Sequence, residues 1–487
     1  MMNGNASIVG ESELLFSYGR HTPWFNVAAI RSYEDAMPQK PTLGNHWSST
    51  ENSSNNSWNV NFNSGNTWNN NKYNSNTVRP SVAHETEAWQ KLRRTVQEAY
   101  EDCCRGKSSS KQAQEYIPHA DEDLDVLTDE LISRTYYPST STCFLVKYPK
   151  WREVFAAAFR DRIIHHWVCM RLEPLFELRN IHQDNVTHNC RKGFGTKTAV
   201  QAVADGIKRV TNNYQEEAWV FKGDLVGFFM TIIKRRMCDK LLSFIRHRYH
   251  GDYKKLLLWL VEIIVMHHPE KDCVFNSNPK DWMNLTANKS LFRCEEGRGS
   301  PIGNLTTQLF ANFFMTEFDA WVQNRLREMD VKWSYNRFVD DFVIVCSDKK
   351  KLLKLIDMIA DKLGDMGLLL HKNKRYIQPA SHGVAFVGKY IKNGRIYLSN
   401  RTLARFQEKI HGFNLYLQRP EREVTIMELE HIRATVNSYL GFYKRCETYL
   451  RRTNILWDFC HNHQKYFSHN RNWTKIKLKK KYKPIFN

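Results

Sequence analysis

The sequence predicts an α+β fold, and three observations carry that reading. Short runs rich in aromatic and β-branched residues, chiefly 219–223, 333–337 and 342–346, read as strands. Longer stretches with apolar residues at helical spacing separate them. A length of 487 residues with 42% hydrophobic content allows a sizeable core, spread over roughly two to four domains.

Charge narrows the class of partner. Lys and Arg outnumber Asp and Glu 71 to 51, a formal charge of +20 that implies a polyanion, most simply nucleic acid. No run approaches the ~18 uninterrupted apolar residues of a membrane-spanning helix. The first residues lack the charged and apolar regions of a secretory signal. Eleven cysteines are scattered without a CxxC pair, the pattern of reduced thiols in a cytoplasmic protein.

Residues 1–46 carry weak signals. Residues 51–80 hold twelve asparagines, a composition with little to bury that predicts a loop or disorder. A helix follows from Glu85 to Arg105, on Trp89, Leu92, Val96, Ala99 and Tyr100, and a short one at 121–133. Residues 136–148 are β-like around Cys143-Phe144-Leu145-Val146, and 150–154 form a basic edge. A long helix spans 161–178. The basic glycine-containing loop from Arg191 to Lys197 leads into a helix at 198–210, a setting that favours phosphate. Trp219 to Asp224 reads as a strand ending in an acid, followed by helices at 231–247 and 256–266. Residues 267–297 read as irregular. One helix is expected over 305–329, another over 349–366, and strands at 384–391 and 395–398 about the Asn393-Gly394 turn. From Leu403 the pattern is helical to about residue 460. The last 17 residues hold seven Lys or Arg and no acid, the composition of a solvated, mobile face suited to a phosphate backbone.

Phe338-Val339-Asp340-Asp341 stands between two strand-like runs, so the aspartates are expected in the tight turn of a hairpin. Adjacent acids on a turn repel each other unless a cation lies between them. Hard oxygen ligands from few residues, with phosphate supplying the rest, suit Mg2+.

The ordered set of motifs resembles a reverse transcriptase. Arg152 and Arg160-Asp161-Arg162-Ile163 are similar to the first motif of the fingers, and Arg191 to Thr196 to the second. Asp224 with Phe229 resembles the palm motif that supplies the first catalytic acid. Gly299-Ser300-Pro301-Ile302-Gly303 resembles the motif that packs on template and nucleotide. Phe338-Val339-Asp340-Asp341 matches the aromatic-x-Asp-Asp signature, Leu370 to Lys374 the sixth motif, and Val384 to Tyr390 the primer-grip hairpin. The match covers roughly residues 140–400. Ile302-Gly303-Asn304-Leu305-Thr306-Thr307-Gln308 further resembles the Ile-Gly-x-x-x-Ser-Gln hallmark of diversity-generating retroelements, within the group II intron-like bacterial and phage reverse transcriptases, with Thr307 where Ser is usual. Residues 47–52, 58–62 and 78–80 resemble the variable segment of those elements' lectin-fold targets. Asn codons randomised at their first two bases give many amino acids and never a stop, so the template repeat is expected to overlap residues 47–80.

The resemblance implies a right-hand polymerase: an Asn-rich, largely irregular segment (1–84), N-terminal helices and fingers (85–218), an antiparallel-sheet palm with helices on one face (219–400), and an α-helical thumb with a basic tail (401–487). It implies an RNA-directed DNA polymerase, a nucleotidyltransferase that makes adenine-mutagenised cDNA from a template-repeat RNA for retrohoming into a target gene. Asp224, Asp340 and Asp341 are the implied catalytic residues. With the Leu225 carbonyl they are the implied ligands of two Mg2+ ions, for which Mn2+ can substitute. Arg152, Arg191, Phe229, Ile302, Gly303, Gln308 and Lys374 are expected at the dNTP, with Phe229 as steric gate, and Phe386 and Gly388 in the primer grip. Implied partners are the template RNA and RNA–DNA duplex, dNTPs, and a small basic accessory protein forming an oligomeric helical bundle, in a bacterial or phage-encoded, cytoplasmic setting without a membrane. The competing readings are a non-mutagenic retron, group II intron or phage-defence enzyme, and an inactive RNA-binding protein on a polymerase scaffold.

Overall fold

A computed structural model describes residues 45–51, 56–61 and 67–71 as backbone, and residues 86–105, 110–147, 150–419, 423–444 and 446–482 in full. The chain divides into two units: Met1–Arg94 with Asp125–Tyr136, and Thr95–Leu124 with Tyr137–Asn487.

In the first unit, strands β1 (Asn45–Glu51), β2 (Asn56–Asn61) and β3 (Thr67–Asn71) form an antiparallel sheet in the order β1-β2-β3. This corrects the expectation of a loop. Trp47, Trp58, Val60 and Trp68 alternate with polar residues, and two short connections let each strand's backbone groups pair with the next, Trp47 opposite Asn59 and Asn59 opposite Trp68. The motif residues 78–80 and the break at 106–109 lie outside the described residues. In the same unit Trp89 donates to Asp129 (2.7 Å) and Arg93 to Asp125 (2.6 Å), tying the start of helix α1 (Glu87–Cys104) to the later helix Ala120–Ser133.

The second unit holds helix α2 (Lys111–Tyr116), and α3 (Ala120–Ser133) begins in it. Strands β4 (Ser141–Val146) and β5 (Arg152–Ala156) pair antiparallel, and the long helix α4 (Phe159–His182) and helix α5 (Thr196–Val210) follow. Next come β6 (Trp219–Gly223), the single turn α6 (Phe228–Thr231), α7 (Lys234–Arg248), α8 (Lys254–Met266) and β7 (Cys273–Phe275). The stretch expected to be irregular therefore adds a strand, β7, parallel to β4. Buried Glu153 of β5 fixes it there: the carboxylate accepts from Trp282 Nε1 (2.9 Å), Ser290 Oγ (2.8 Å) and the Leu291 amide (2.6 Å).

The helix expected over 305–329 breaks at Met315 into α9 (Leu305–Phe314) and α10 (Thr316–Glu328). Thr316 Oγ1 bonds back to the Phe313 carbonyl (2.7 Å) at that break. Strands β8 (Trp333–Phe338) and β9 (Asp341–Cys346), helix α11 (Lys349–Asp365) and β10 (Tyr376–Pro379) complete a four-stranded antiparallel sheet, ordered β10-β6-β9-β8. Helices cover both of its faces, not one. Val220, Val343 and Val345 pack under α5, whereas Phe342 meets Phe318 of α10 edge-on at 5.3 Å. Helix α5 approaches closely because Gly206 has no side chain: a Cβ there would lie 2.2 Å from Ser334 Oγ.

Three further strands, β11 (Val384–Phe386), β12 (Lys389–Lys392) and β13 (Arg395–Leu398), form a meander, and helices α12 (Asn400–Leu417), α13 (Ile426–Tyr443) and α14 (Tyr449–Asn462) follow. Ser399 caps α12, and Thr425 with Glu428 forms a capping box on α13. The basic tail is more ordered than its charge suggests. Strands β14 (Phe467–His469) and β15 (Ile476–Leu478) pair, and Asn437 of α13 binds both the amide and the carbonyl of Ile476. Trp473, Ile476 and Leu478 enter the helical core between the lysines. Among the described residues no helix is long and apolar enough to cross a membrane.

Two buried histidines give the fold an acid limit. Burial, and then the neighbouring His267, His166 and Arg162, push His165 down to about 3; burial and Lys234 push His267 down to about 4. Unfolding restores ordinary values near 6.5, so between pH ~6.5 and ~4 these two sites bind more protons in the unfolded chain and their contribution to stability falls as pH falls. The melting midpoint is expected to drop from pH 7 to pH 5, and His165→Gln, which keeps a partner for Thr306 (2.8 Å from His165 Nδ1), is expected to shallow that drop. Parallel pH profiles of the two proteins check this.

Candidate active site

The sheet brings three carboxylates to one end. Strand β6 stops at Gly223, and Asp224 follows at the end opposite the start of β9. Gly223 lies under the Phe342 ring, where a Cβ would sit 2.3 Å from the ring carbon Cζ, so the two strands close tightly beside the acids. The hairpin turn is shifted by one residue from the sequence expectation. Phe338 pairs with Asp341, so Val339 and Asp340 make the turn and Asp341 opens β9.

These carboxylates crowd one another. Burial, and then Asp341 and Asp224, raise Asp340 to about 6, against a smaller downward pull from Arg152. Asp341 is raised as well, by burial and Asp224, with Lys222 opposing. Two lysines supply countercharge: Lys374 Nζ lies 2.7 Å from Asp224 Oδ2, and Lys222 Nζ 3.5 Å from Asp341 Oδ1. As they stand, no three His, Cys, Asp or Glu side chains among the described residues close around a metal position. The donor set nonetheless suits a hard divalent cation. It consists of carboxylate oxygens, and their mutual repulsion is what a cation relieves. Asp224, Asp340 and Asp341 are the residues that would hold it. The carbonyls of Asp224 and Leu369 are the ones taken by the bridge to residues 369–371, rather than that of Leu225.

Cations surround this end of the sheet. Arg152 is exposed on β5 and acts on Asp340. The Lys150 ammonium is held below its usual range by burial and then by Lys374, Arg401 and Lys289. Lys222, Lys289 and Arg401 were missed in the sequence. A lysine inside the apolar run of a central strand was the available signal for Lys222; Lys289 and Arg401 are near only because the chain folds back.

Arg191 is placed differently from expectation. Its guanidinium is almost fully buried, bound to both Glu177 oxygens, to Asn185 and to the Thr187 carbonyl, and stacked 3.7 Å from the Phe194 ring. It braces its own loop instead of facing the carboxylates. Phe386 is likewise corrected, because alternation along β11 buries its ring in the palm core. Gly388, at φ +79°, makes the turn that Phe386 supports.

Phe229 is half-buried beside the fully packed Phe228, and it shares an apolar cluster with Ile302, Phe155 and Phe292. Gly303 has φ +138°, and a Cβ there would lie 2.3 Å from the Phe155 carbonyl, so only glycine lets this segment run against β5. Gln308 is exposed on α9, its Oε1 3.7 Å from Cys190 Sγ.

Because the metal-free carboxylates repel, Asp340→Asn is expected to raise the melting midpoint without divalent cation. It is also expected to abolish the further rise that Mg2+ gives the natural protein. Thermal melts with and without Mg2+ check both.

The family model for reverse transcriptase (RNA-dependent DNA polymerase) matches residues 146–391. Protein YkfC of Escherichia coli (strain K12) is 24% identical over 326 residues, 60% of this chain and 77% of that protein. Apo telomerase from Candida tropicalis, truncated from its C-terminal domain, aligns at 14% identity and TM-score 0.38 over 53% of this chain and 55% of that one. Telomerase from Candida albicans, in complex with a fragment of telomeric RNA, aligns at 12% and 0.39 over 68% and 60%. The chain thus spans less than two thirds of these telomerases. With its family model covering half of the chain, this protein belongs to the reverse transcriptase family and is an RNA-directed DNA polymerase.

Proposed function

We propose that this chain is the mutagenic reverse transcriptase of a diversity-generating retroelement. It would copy a template-repeat RNA into cDNA with errors at adenines, for transfer into a target gene. The observation that carries the reading is Ile302, an apolar residue beside Gly303 in the Ile-Gly…Gln stretch, packed, as Phe229 also is, against the buried cluster that contains Phe155. A residue with no hydrogen-bonding group there leaves the nascent pair without a polar check.

In this mechanism Asp224, Asp340 and Asp341 would hold the metal, and their fixed positions would help align primer and triphosphate for in-line attack. Bound Mg2+ would supply the charge that lowers the pKa of the primer 3′-hydroxyl and neutralises the leaving pyrophosphate. Arg152 is the exposed fork for triphosphate oxygens. Lys374, which pairs with Asp224 at 2.7 Å, would be free to turn its ammonium to the phosphates once that carboxylate holds a metal. Phe229 lies under the sugar and excludes a 2′-hydroxyl, while Phe228 stays in the core. The turn at Gly388 carries the primer, and the basic helical thumb tracks the RNA–DNA duplex. Residues 47–80 are then encoded by the overlapping template, and a small basic accessory protein joins the RNA.

The deciding experiment is sequencing of cDNA made by the purified protein from its own template RNA, with accessory protein and Mg2+. Substitutions concentrated opposite template adenines are expected; faithful cDNA would place the enzyme with retron, intron or phage-defence reverse transcriptases instead. Phe229→Ala is expected to narrow the preference for dNTP over NTP in kcat/KM by roughly 10- to 200-fold. Steady-state kinetics on both substrates checks it, and unchanged discrimination would remove Phe229 from that role.

A further inference from the structure

Behind the catalytic turn lies a polar core that the chemistry above does not use. Arg337 is fully buried, two residues before Val339, and pairs side-on with the equally buried Asp319 of α10: Nε to Oδ1 and Nη2 to Oδ2 are both 2.7 Å. Asp319 also accepts from the Tyr335 hydroxyl (2.6 Å). The remaining guanidinium nitrogen, Nη1, donates to the Val339 carbonyl (2.9 Å). From the other side, Asn189 Oδ1 accepts from the Val339 amide (2.8 Å). Asn312 of α9 closes the ring, accepting from Arg337 Nη2 (3.1 Å) and donating to the Asn189 carbonyl (3.2 Å).

Val339 has φ +60°. A two-residue hairpin turn needs such a conformation but normally fills it with Gly, Asn or Asp; for a β-branched residue it is strained. Strain of this kind persists only where the surroundings over-determine it. Here both backbone polar groups of the strained residue are held by side chains remote in sequence or anchored in the core. A buried ion pair, moreover, adds little net stability over apolar residues of like volume, so stability alone does not account for it.

We propose that Arg337, Asp319 and Asn189 are positioning residues. They clamp Val339 in its left-handed conformation and so set where Asp340 and Asp341 present their carboxylates relative to Asp224. The inference rests on the family's polymerase activity and holds whether or not copying is mutagenic.

Three variants of the full chain test it. Arg337→Lys keeps the charge opposite Asp319 but loses the fork that reaches the Val339 carbonyl. Arg337→Met with Asp319→Leu removes both buried charges together. Asn189→Ala frees the Val339 amide and touches neither charge. The readouts are single-turnover incorporation rate, KM for dNTP, Mn2+ affinity from the electron paramagnetic resonance of free Mn2+, and the melting midpoint. Folded variants are expected to lose about 10- to 100-fold in both rate and Mn2+ affinity, with KM for dNTP nearly unchanged. Wild-type rate and Mn2+ affinity in any folded variant overturns the proposal. Loss of the folded state in all three also overturns it, because the network would then serve the fold and not the turn.

Discussion

Three carboxylates crowded at one end of a sheet are the constraint on which the rest of this protein depends. Without a cation they repel, and burial together with that repulsion pushes Asp340 up to about 6. The arrangement survives because its neighbours are built to carry it. Lys222, on the strand that delivers Asp224, pairs with Asp341, and Lys374 pairs with Asp224 itself. The repulsion that weakens the fold locally is also what a divalent cation would relieve, so cost and function would have one origin.

Fixing the acids in space takes more than the two strands that carry them. Strands β6 and β9 close on each other because Phe342 lies over Gly223, and Phe342 in turn packs against Phe318 and Tyr335. With α5 on the opposite face, the sheet cannot slide without opening a core on one side or the other. The fingers strand is tied to the same frame through its backbone. The Phe155 amide donates to the Ile302 carbonyl (2.8 Å), and Asn304 Oδ1 accepts from the Ala157 amide (3.3 Å). Arg152 therefore hangs from a strand registered against the start of α9 and not from a loose loop.

What the sequence disclosed follows from which interactions are local. Strand–turn–strand around Asp340 was legible from period and residue type, and so were most helices, because each pattern is complete within a short window. The break at Met315 was not, since the apolar spacing runs on through it and only Thr316 marks it. The Asn-rich segment misled because composition was weighed above the alternation of Trp47, Trp58, Val60 and Trp68 with polar residues. At the site, the acids were legible as motifs, whereas the roles of Arg191 and Phe386 were not. A guanidinium bound to Glu177 and a ring turned into the core are decided by partners that only the fold assembles. The ion pair of Arg337 with Asp319 belongs to the same category: neither residue is unusual in sequence, and both are fully buried in the structure.

The residues proposed for sugar and base selection do not act on separate surfaces. Phe229 and Ile302 lie in one apolar cluster with Phe155 and Phe292. Backbone bonds join their segments as well: the Ser300 amide donates to the Phe229 carbonyl (2.8 Å), and the Gly299 amide to that of Ile232 (2.9 Å). A change of volume at Ile302 is therefore passed to the buried cluster that Phe229 also packs against, because a close-packed cluster has little slack to absorb it. Residues in one cluster respond together and not additively. On the proposed reading, looseness toward the template base and strictness toward the sugar would have to be reached within a single packing solution. An apolar side chain at Ile302 would meet that requirement: it offers no polar contact to a nascent pair while keeping its packing on the cluster that Phe229 also packs against.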